Sequence, residues 1–222
     1  MDILLYPVVI AVVVCFVTVI LYWLSVRKRL KNVLFIGACD SGKTTLFSSI
    51  VYGNPSSTFT SLNENVGNLQ IDKKALVLVD VPGHDKVRNE IIHKYKLETL
   101  ALVFVIDSKS IQSDVKDVAE FLYNILVDKV FIKNRVKLLV ACNKQDATTA
   151  KGVSVVTHLL EKECLESCDK DDRKSRAEFH LSPMDVVRQF IHIKLHLSCL
   201  GILLRLHVLV RLLASISPPY QH

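Results

Sequence analysis

The stretch Asn32-Val33-Leu34-Phe35-Ile36-Gly37-Ala38-Cys39-Asp40-Ser41-Gly42-Lys43-Thr44 decides the fold. Its first five residues are a short apolar run of the kind that forms a strand buried on both faces, and Gly37 ends it in a turn. From Gly37 to Thr44 the chain matches GxxxxGK[ST] in full. In such a loop the main chain of Gly37, Ala38, Cys39, Asp40, Ser41 and Gly42, with the positive end of the next helix, cradles phosphate oxygens. Lys43 reaches the outer phosphates and the Thr44 hydroxyl ligates Mg²⁺. Thr45, Leu46, Ile50 and Val51 carry the helical pattern onward.

Further along, Ala75-Leu76-Val77-Leu78-Val79 reads as a second buried strand and delivers Asp80 at its tip, followed by Val81-Pro82-Gly83-His84. An acidic residue there can hold Mg²⁺ through water, and a glycine can turn its amide toward a γ-phosphate. DxxG alone is an ordinary turn; its order after the phosphate loop is what carries meaning. Two more strands, Leu100–Ile106 and Val136–Cys142, flank a helix whose apolar positions Val115, Val118, Ala119, Leu122, Ile125 and Leu126 recur at three- and four-residue steps. The second of these strands ends in Asn143-Lys144-Gln145-Asp146. The Asp146 carboxylate can accept both the ring N–H and the exocyclic amino protons of guanine, a donor pair that adenine lacks. Asn143 would brace the loop and Lys144 would lie along the base. With each motif at the carboxyl end of a strand, the ligand crevice falls where open α/β sheets bind ligands.

The 222 residues carry a formal charge of +6 and are 50% hydrophobic, but neither average describes a part of the chain. Residues 32–180 balance 20 basic against 20 acidic side chains. A neutral domain without clustered Arg and aromatic residues does not support nucleic-acid readout. The cysteines show no CxxC spacing, so neither a zinc ribbon nor a secreted disulfide framework is indicated.

Residues 1–26 hold 22 apolar residues and a single charge, Asp2. The uncharged run 3–26 is long enough to span a bilayer, with Tyr6, Tyr22 and Trp23 near its ends. The basic segment 27–31 (Arg27-Lys28-Arg29-Leu30-Lys31) follows it, which places the rest of the chain in the cytosol and residues 1–2 across the membrane.

The ordered set GACDSGKT, DVPGH and NKQD resembles Ras-like small GTPases. Cys39-Asp40-Ser41, Pro82 with His84, the run Asp114–Tyr123 and Ala141–Asp146 narrow the likeness to the β subunits of the signal recognition particle receptor, a family with an amino-terminal membrane anchor. What the resemblance implies is a P-loop GTPase fold that binds GTP or GDP with Mg²⁺. It also implies a single-pass endoplasmic-reticulum protein that holds the receptor's α subunit at the membrane and serves ribosome–nascent-chain delivery to the translocon. Alternatives are a membrane-tethered Arf-like trafficking GTPase, and a scaffold or altered isoform that holds GTP without hydrolysing it.

For turnover, His84 stands where many small GTPases place a water-orienting Gln, and serves equally well as a surface histidine. Arg88 reads as a solvated or partner-contacting residue of the helix that follows. Within Thr58-Phe59-Thr60-Ser61, Thr60 is the favoured first-switch contact to Mg²⁺, with Ser61 next. Residues 161–178 hold seven acidic and five basic residues and read as a solvated helix end.

The tail 181–222 is apolar and basic, without a Ser-Ala-Lys-like motif. Three readings of it stay open: a divergent final strand and helix, a membrane-associating segment, or an alternative carboxyl terminus, which is the favoured one. Loss of the final strand would leave an exposed sheet edge and remove one wall of the base pocket.

Overall fold

The computed structural model describes residues 5–26, 31–53, 63–71, 74–175 and 191–196. Thr58, Thr60 and Ser61, the basic residues 27–29, and the tail at 181–190 and 197–222 lie outside them. The chain divides into two units, Met1–Leu30 and Lys31–His222.

The first unit contains α1 (Leu5–Val26), a helix of 22 residues without a charged side chain. Side chains are described only for its residues 9–21, a piece shorter than the ~20 residues a bilayer crossing needs. Among the described residues no helix is long and apolar enough to cross a membrane.

The second unit is a six-stranded sheet in the order β2-β3-β1-β4-β5-β6. β1 (Asn32–Gly37), β3 (Lys74–Asp80), β4 (Thr99–Asp107), β5 (Lys137–Asn143) and β6 (Ile191–His196) run parallel. β2 (Asn65–Ile71) pairs antiparallel with β3 at the edge. The helices are α2 (Lys43–Tyr52), α3 (Asp85–Tyr95), α4 (Ile111–Leu126), α5 (Lys129–Lys133) and α6 (Val153–Ser175), with a 3₁₀ turn at Lys96–Glu98.

β1, β3, β4 and β5 read as apolar runs because both faces of the sheet are covered. Successive side chains sort into two cores: Leu34, Ile36, Leu102, Phe104 and Ile106 meet α3, α4 and α6 on one face. Val33, Phe35, Ala101, Val103 and Val105 meet Leu46 and Phe47 of α2 on the other. Full burial of side chains of this size is worth about 1.5–3 kcal/mol each, so the central strands, buried end to end, hold the loops at their tips in fixed register.

β6 corrects one consequence drawn for the tail, the loss of the final strand. Residues 191–196 form a strand in parallel register with β5, Leu139 opposite Ile193 and Cys142 opposite His196. The final strand is therefore present, and β5 is not the sheet edge. The physical signal is the strict alternation Ile191-His192-Ile193-Lys194-Leu195-His196, a period of two that strands favour and that a count of apolar residues hides.

Candidate functional site

Four strand tips converge: Gly37 of β1, Asp80 of β3, Asp107 of β4 and Asn143 of β5. The registers Phe35↔Asp80, Gly37↔Val105 and Asp107↔Asn143 place them along one edge of the sheet.

The loop after β1 turns through two left-handed residues, Asp40 at φ 57° and Gly42 at φ 86°. Gly42 is required twice over. Its φ disfavours a side chain, and a Cβ there would lie 2.2 Å from Asn143 Nδ2. Ser41 is fully buried and its hydroxyl donates to the Ala38 carbonyl at 2.9 Å. Lys43 opens α2 from inside the protein, 5% exposed. Its ammonium donates to the Ala38 carbonyl at 2.6 Å and to Ser41 Oγ at 3.5 Å. Burial lowers the Lys43 pKa, opposed by the charges of Asp80, Cys39 and Asp40. A buried ammonium folded onto its own loop is poised for an incoming anion, which would restore the charge partner it lacks. Cys39 is exposed.

Asp80 is buried; its Oδ2 accepts from Asn65 Nδ2 at 3.1 Å, and the Thr44 hydroxyl also bonds the carboxylate. Burial raises the Asp80 pKa against those two bonds and the Lys43 charge. Oδ1 has no partner among the described residues. An orphaned carboxylate oxygen beside a threonine hydroxyl fits a hard divalent cation that keeps most of its ligands as water and phosphate. Among the described residues there is no group of three or more His, Cys, Asp or Glu that could hold a metal ion. Thr44 and Asp80 are the residues that would hold Mg²⁺.

Gly83 lies flat against the phosphate loop: a Cβ there would sit 2.7 Å from both N and Cα of Cys39. His84 is exposed at the N-cap of α3, where its side chain caps nothing.

Arg88 departs from the sequence expectation. Its side chain is only 12% exposed and pairs with Asp85 at 2.7 Å. Its guanidinium stacks 3.6 Å from the centre of the Phe121 ring on α4, and Nη1 donates to the Gly83 carbonyl at 3.3 Å. It is a packed residue, not a solvated one. The planar, weakly hydrated guanidinium can lie on an aromatic face where an ammonium would not.

At the β5 tip, Asn143 Nδ2 donates to the Ser41 carbonyl at 2.9 Å, joining the base loop to the phosphate loop. Lys144, at φ 58°, pairs with Asp107 at 2.8 Å. Asp146 is exposed on the same turn. Sequence reasoning missed Asp107, Ser108 and the role of Gln145. Gln145 Nε2 reaches Ser108 Oγ at 2.5 Å and the Lys151 carbonyl at 2.9 Å, closing the loop on β4. The available signal was positional: Asp107-Ser108 ends an apolar run as Asp80 and Asn143 do. Of the predicted residues, Gly37 to Thr45, Asp80, Gly83, His84, Asn143, Lys144 and Asp146 share this edge, whereas Thr60 lies outside the described residues.

A parallel sheet whose tips carry a phosphate loop, an Asp-x-x-Gly turn and an Asn-Lys-x-Asp turn, in that chain order, defines a domain of the small GTPase class. A family model, "Signal recognition particle receptor beta subunit", matches residues 28–183. The chain is 39% identical over 166 residues to the signal recognition particle receptor subunit beta of Mus musculus, covering 71% of this chain and 62% of that protein. To the Homo sapiens protein of that name it is 39% identical over 165 residues, covering 72% and 60%. It thus spans about three-fifths of the length of these relatives. A solved structure of the mammalian SRP receptor superposes with a TM-score of 0.61 at 37% identity, covering 76% of this chain and 87% of that one. The chain belongs to the signal recognition particle receptor beta subunit family. The match ends at residue 183, so β6 is supplied by sequence beyond it.

Proposed function

We propose that the chain binds GTP or GDP with Mg²⁺ and acts as a membrane-tethered receptor subunit that holds an α subunit at the endoplasmic reticulum for co-translational targeting. The observation that carries the nucleotide part is the junction of Asn143 with Ser41, which couples a base-reading turn to a phosphate loop. Gly37 to Thr45 would take the phosphates, Thr44 and Asp80 the cation, Gly83 the γ-phosphate, and Asn143, Lys144 and Asp146 the base. When bound, Mg²⁺ would neutralise phosphate charge. The protein's own part is to present Lys43, which makes no ion pair among the described residues, and to keep the loop closed through Ser41 and Asn143. Residues 3–26 would cross the bilayer, and the partner assignment rests on family membership.

Calorimetry with GDP tests the base assignment. Asp146→Asn should weaken binding at least about a hundredfold, since two charge-assisted bonds are lost; unchanged affinity would sink it.

A second reading, GTP as a held ligand rather than a turned-over one, draws on Cys39 against Gly83 and on an exposed His84 whose side chain makes no cap hydrogen bond. Single-turnover assays separate the two: hydrolysis stimulated by the α subunit or the ribosome supports a switch, whereas persistently bound GTP supports a scaffold.

A further inference from the structure

A parallel sheet has two chemically different ends. The candidate site occupies the end where strands finish. At the other end β1, β4 and β5 begin, at Asn32, Thr99 and Lys137, and α4 finishes at Leu126.

Direct contacts stitch that second end together. The Lys31 amide donates to the Glu98 carbonyl at 3.0 Å, and its ammonium lies 3.9 Å from the Glu98 carboxylate. In the same 3₁₀ turn Lys96 pairs with Asp128, and its ammonium sits 5.9 Å over the buried Phe131 ring. Beside this pair two apolar side chains face outward, Leu97 at 55% and Val127 at 37% exposure. Lys129, Lys133 and Arg135 follow, all exposed, then Lys137, half-buried. Among the described residues no acidic side chain pairs with Lys133, Arg135 or Lys137. From Lys31, Lys96–Glu98 and 128–137 the tally is six basic residues (Lys31, Lys96, Lys129, Lys133, Arg135, Lys137) against two acidic (Glu98, Asp128).

We propose that this end of the domain docks on anionic phospholipid, with Leu97 and Val127 entering the interface and Lys129, Lys133, Arg135 and Lys137 meeting headgroup phosphates. Exposed apolar side chains bracketed by cations fit an interface that is apolar inside and negatively charged outside. Lipid is favoured over nucleic acid for two reasons. Lys31 follows the uncharged run 3–26 after only four residues, three of them basic, and Phe131, the ring beneath the Lys96 ammonium, is buried and unable to stack on bases. The proposal rests on the reading of 3–26 as a membrane segment, and it goes further: the orientation of the domain would depend on lipid charge.

The test uses the full chain reconstituted into nanodiscs of phosphatidylcholine alone, or with about one third phosphatidylserine, and acylates lysines sparingly for mass spectrometry. Labelling of Lys133 and Lys137 should fall at least about threefold in the anionic discs and recover near 0.5 M salt, as screening predicts. Lys86 and Lys109, exposed elsewhere, should not change. Equal labelling of Lys133 and Lys137 in both discs, in chains that co-elute with them, overturns the proposal. So does protection by soluble RNA without protection by lipid. Failure to co-elute with neutral discs would instead remove the membrane-segment reading. The face would then be decided by the same labelling ratio with anionic against neutral vesicles added to the chain.

Discussion

Asn143 Nδ2 donates to the Ser41 carbonyl at 2.9 Å, a bond between residues 102 positions apart in sequence. The same amide stands where a Cβ on Gly42 would have to go. One side chain thus fixes the path of the phosphate loop and the place of the base turn.

Replacing Asn143 by Ala leaves the Ser41 carbonyl without this donor. An unmet polar group in a largely buried position costs about 1–3 kcal/mol, so the ligand-free protein should unfold at lower urea. Asn143→Asp should be at least as costly, because it sets a carboxylate against a carbonyl. Urea midpoints of both variants equal to that of the parent chain would show that the bond is not made.

Arg88 should behave as a packing residue. Its guanidinium covers Phe121 at 3.6 Å and reaches the Gly83 carbonyl. Arg88→Ala should therefore destabilise the domain by about 2 kcal/mol. Arg88→Lys keeps the charge but loses the planar stack, and should recover less than half of that. A double-mutant cycle with Phe121→Leu gives the decisive number: a coupling near zero would mean that ring and guanidinium do not interact.

The contrast between Arg88 and the phosphate loop shows what a single sequence makes legible. Strands β1, β3, β4 and β5 and the loops at their tips were readable because burial on both faces writes continuous apolar runs, and the chemistry of phosphate, cation and base needs fixed residue types at the run ends. Arg88 was not, because nothing in α3 announces Phe121, a core residue of another helix. β2 was also passed over: Asn65–Ile71 includes Gly67, Asn68 and Gln70, and an edge strand paired on one side needs no apolar run. Ser41 and Asn143 were legible as site residues, but the hydrogen bond that joins their loops, and those of Gln145, follow only from the register of β1, β4 and β5.

Gly83→Ala tests how closely the Asp-x-x-Gly turn lies on the phosphate loop. Its Cβ would meet the main chain of Cys39 at 2.7 Å and Sγ at 2.8 Å. Overpacking of this kind costs about 1–3 kcal/mol. Cys39→Gly removes the sulfur but not the main-chain clash, so the double variant should stay as unstable as Gly83→Ala alone. Restoration of the thermal midpoint by Cys39→Gly would place the clash on the thiol instead.

Cys164 offers a pH test away from the site. The thiol is buried against α4, donates to the Ala119 carbonyl at 3.6 Å, and has its pKa pushed up from 9.0 to about 11, first by burial and then by Glu161 and Glu163. The folded value lies above the unfolded one, so the native state favours the protonated thiol. That contribution is complete below pH 9 and is lost as pH rises through about 11. Two pKa units correspond to on the order of 2–3 kcal/mol. Cys164→Ala removes this slope, while lysines and tyrosines titrate alike in both proteins. Between pH 8.5 and 11 the parent chain should lose stability faster than Cys164→Ala by about that amount, measured as urea midpoints. Parallel loss in the two proteins would mean that the thiol ionises as readily in the folded state as in the unfolded one.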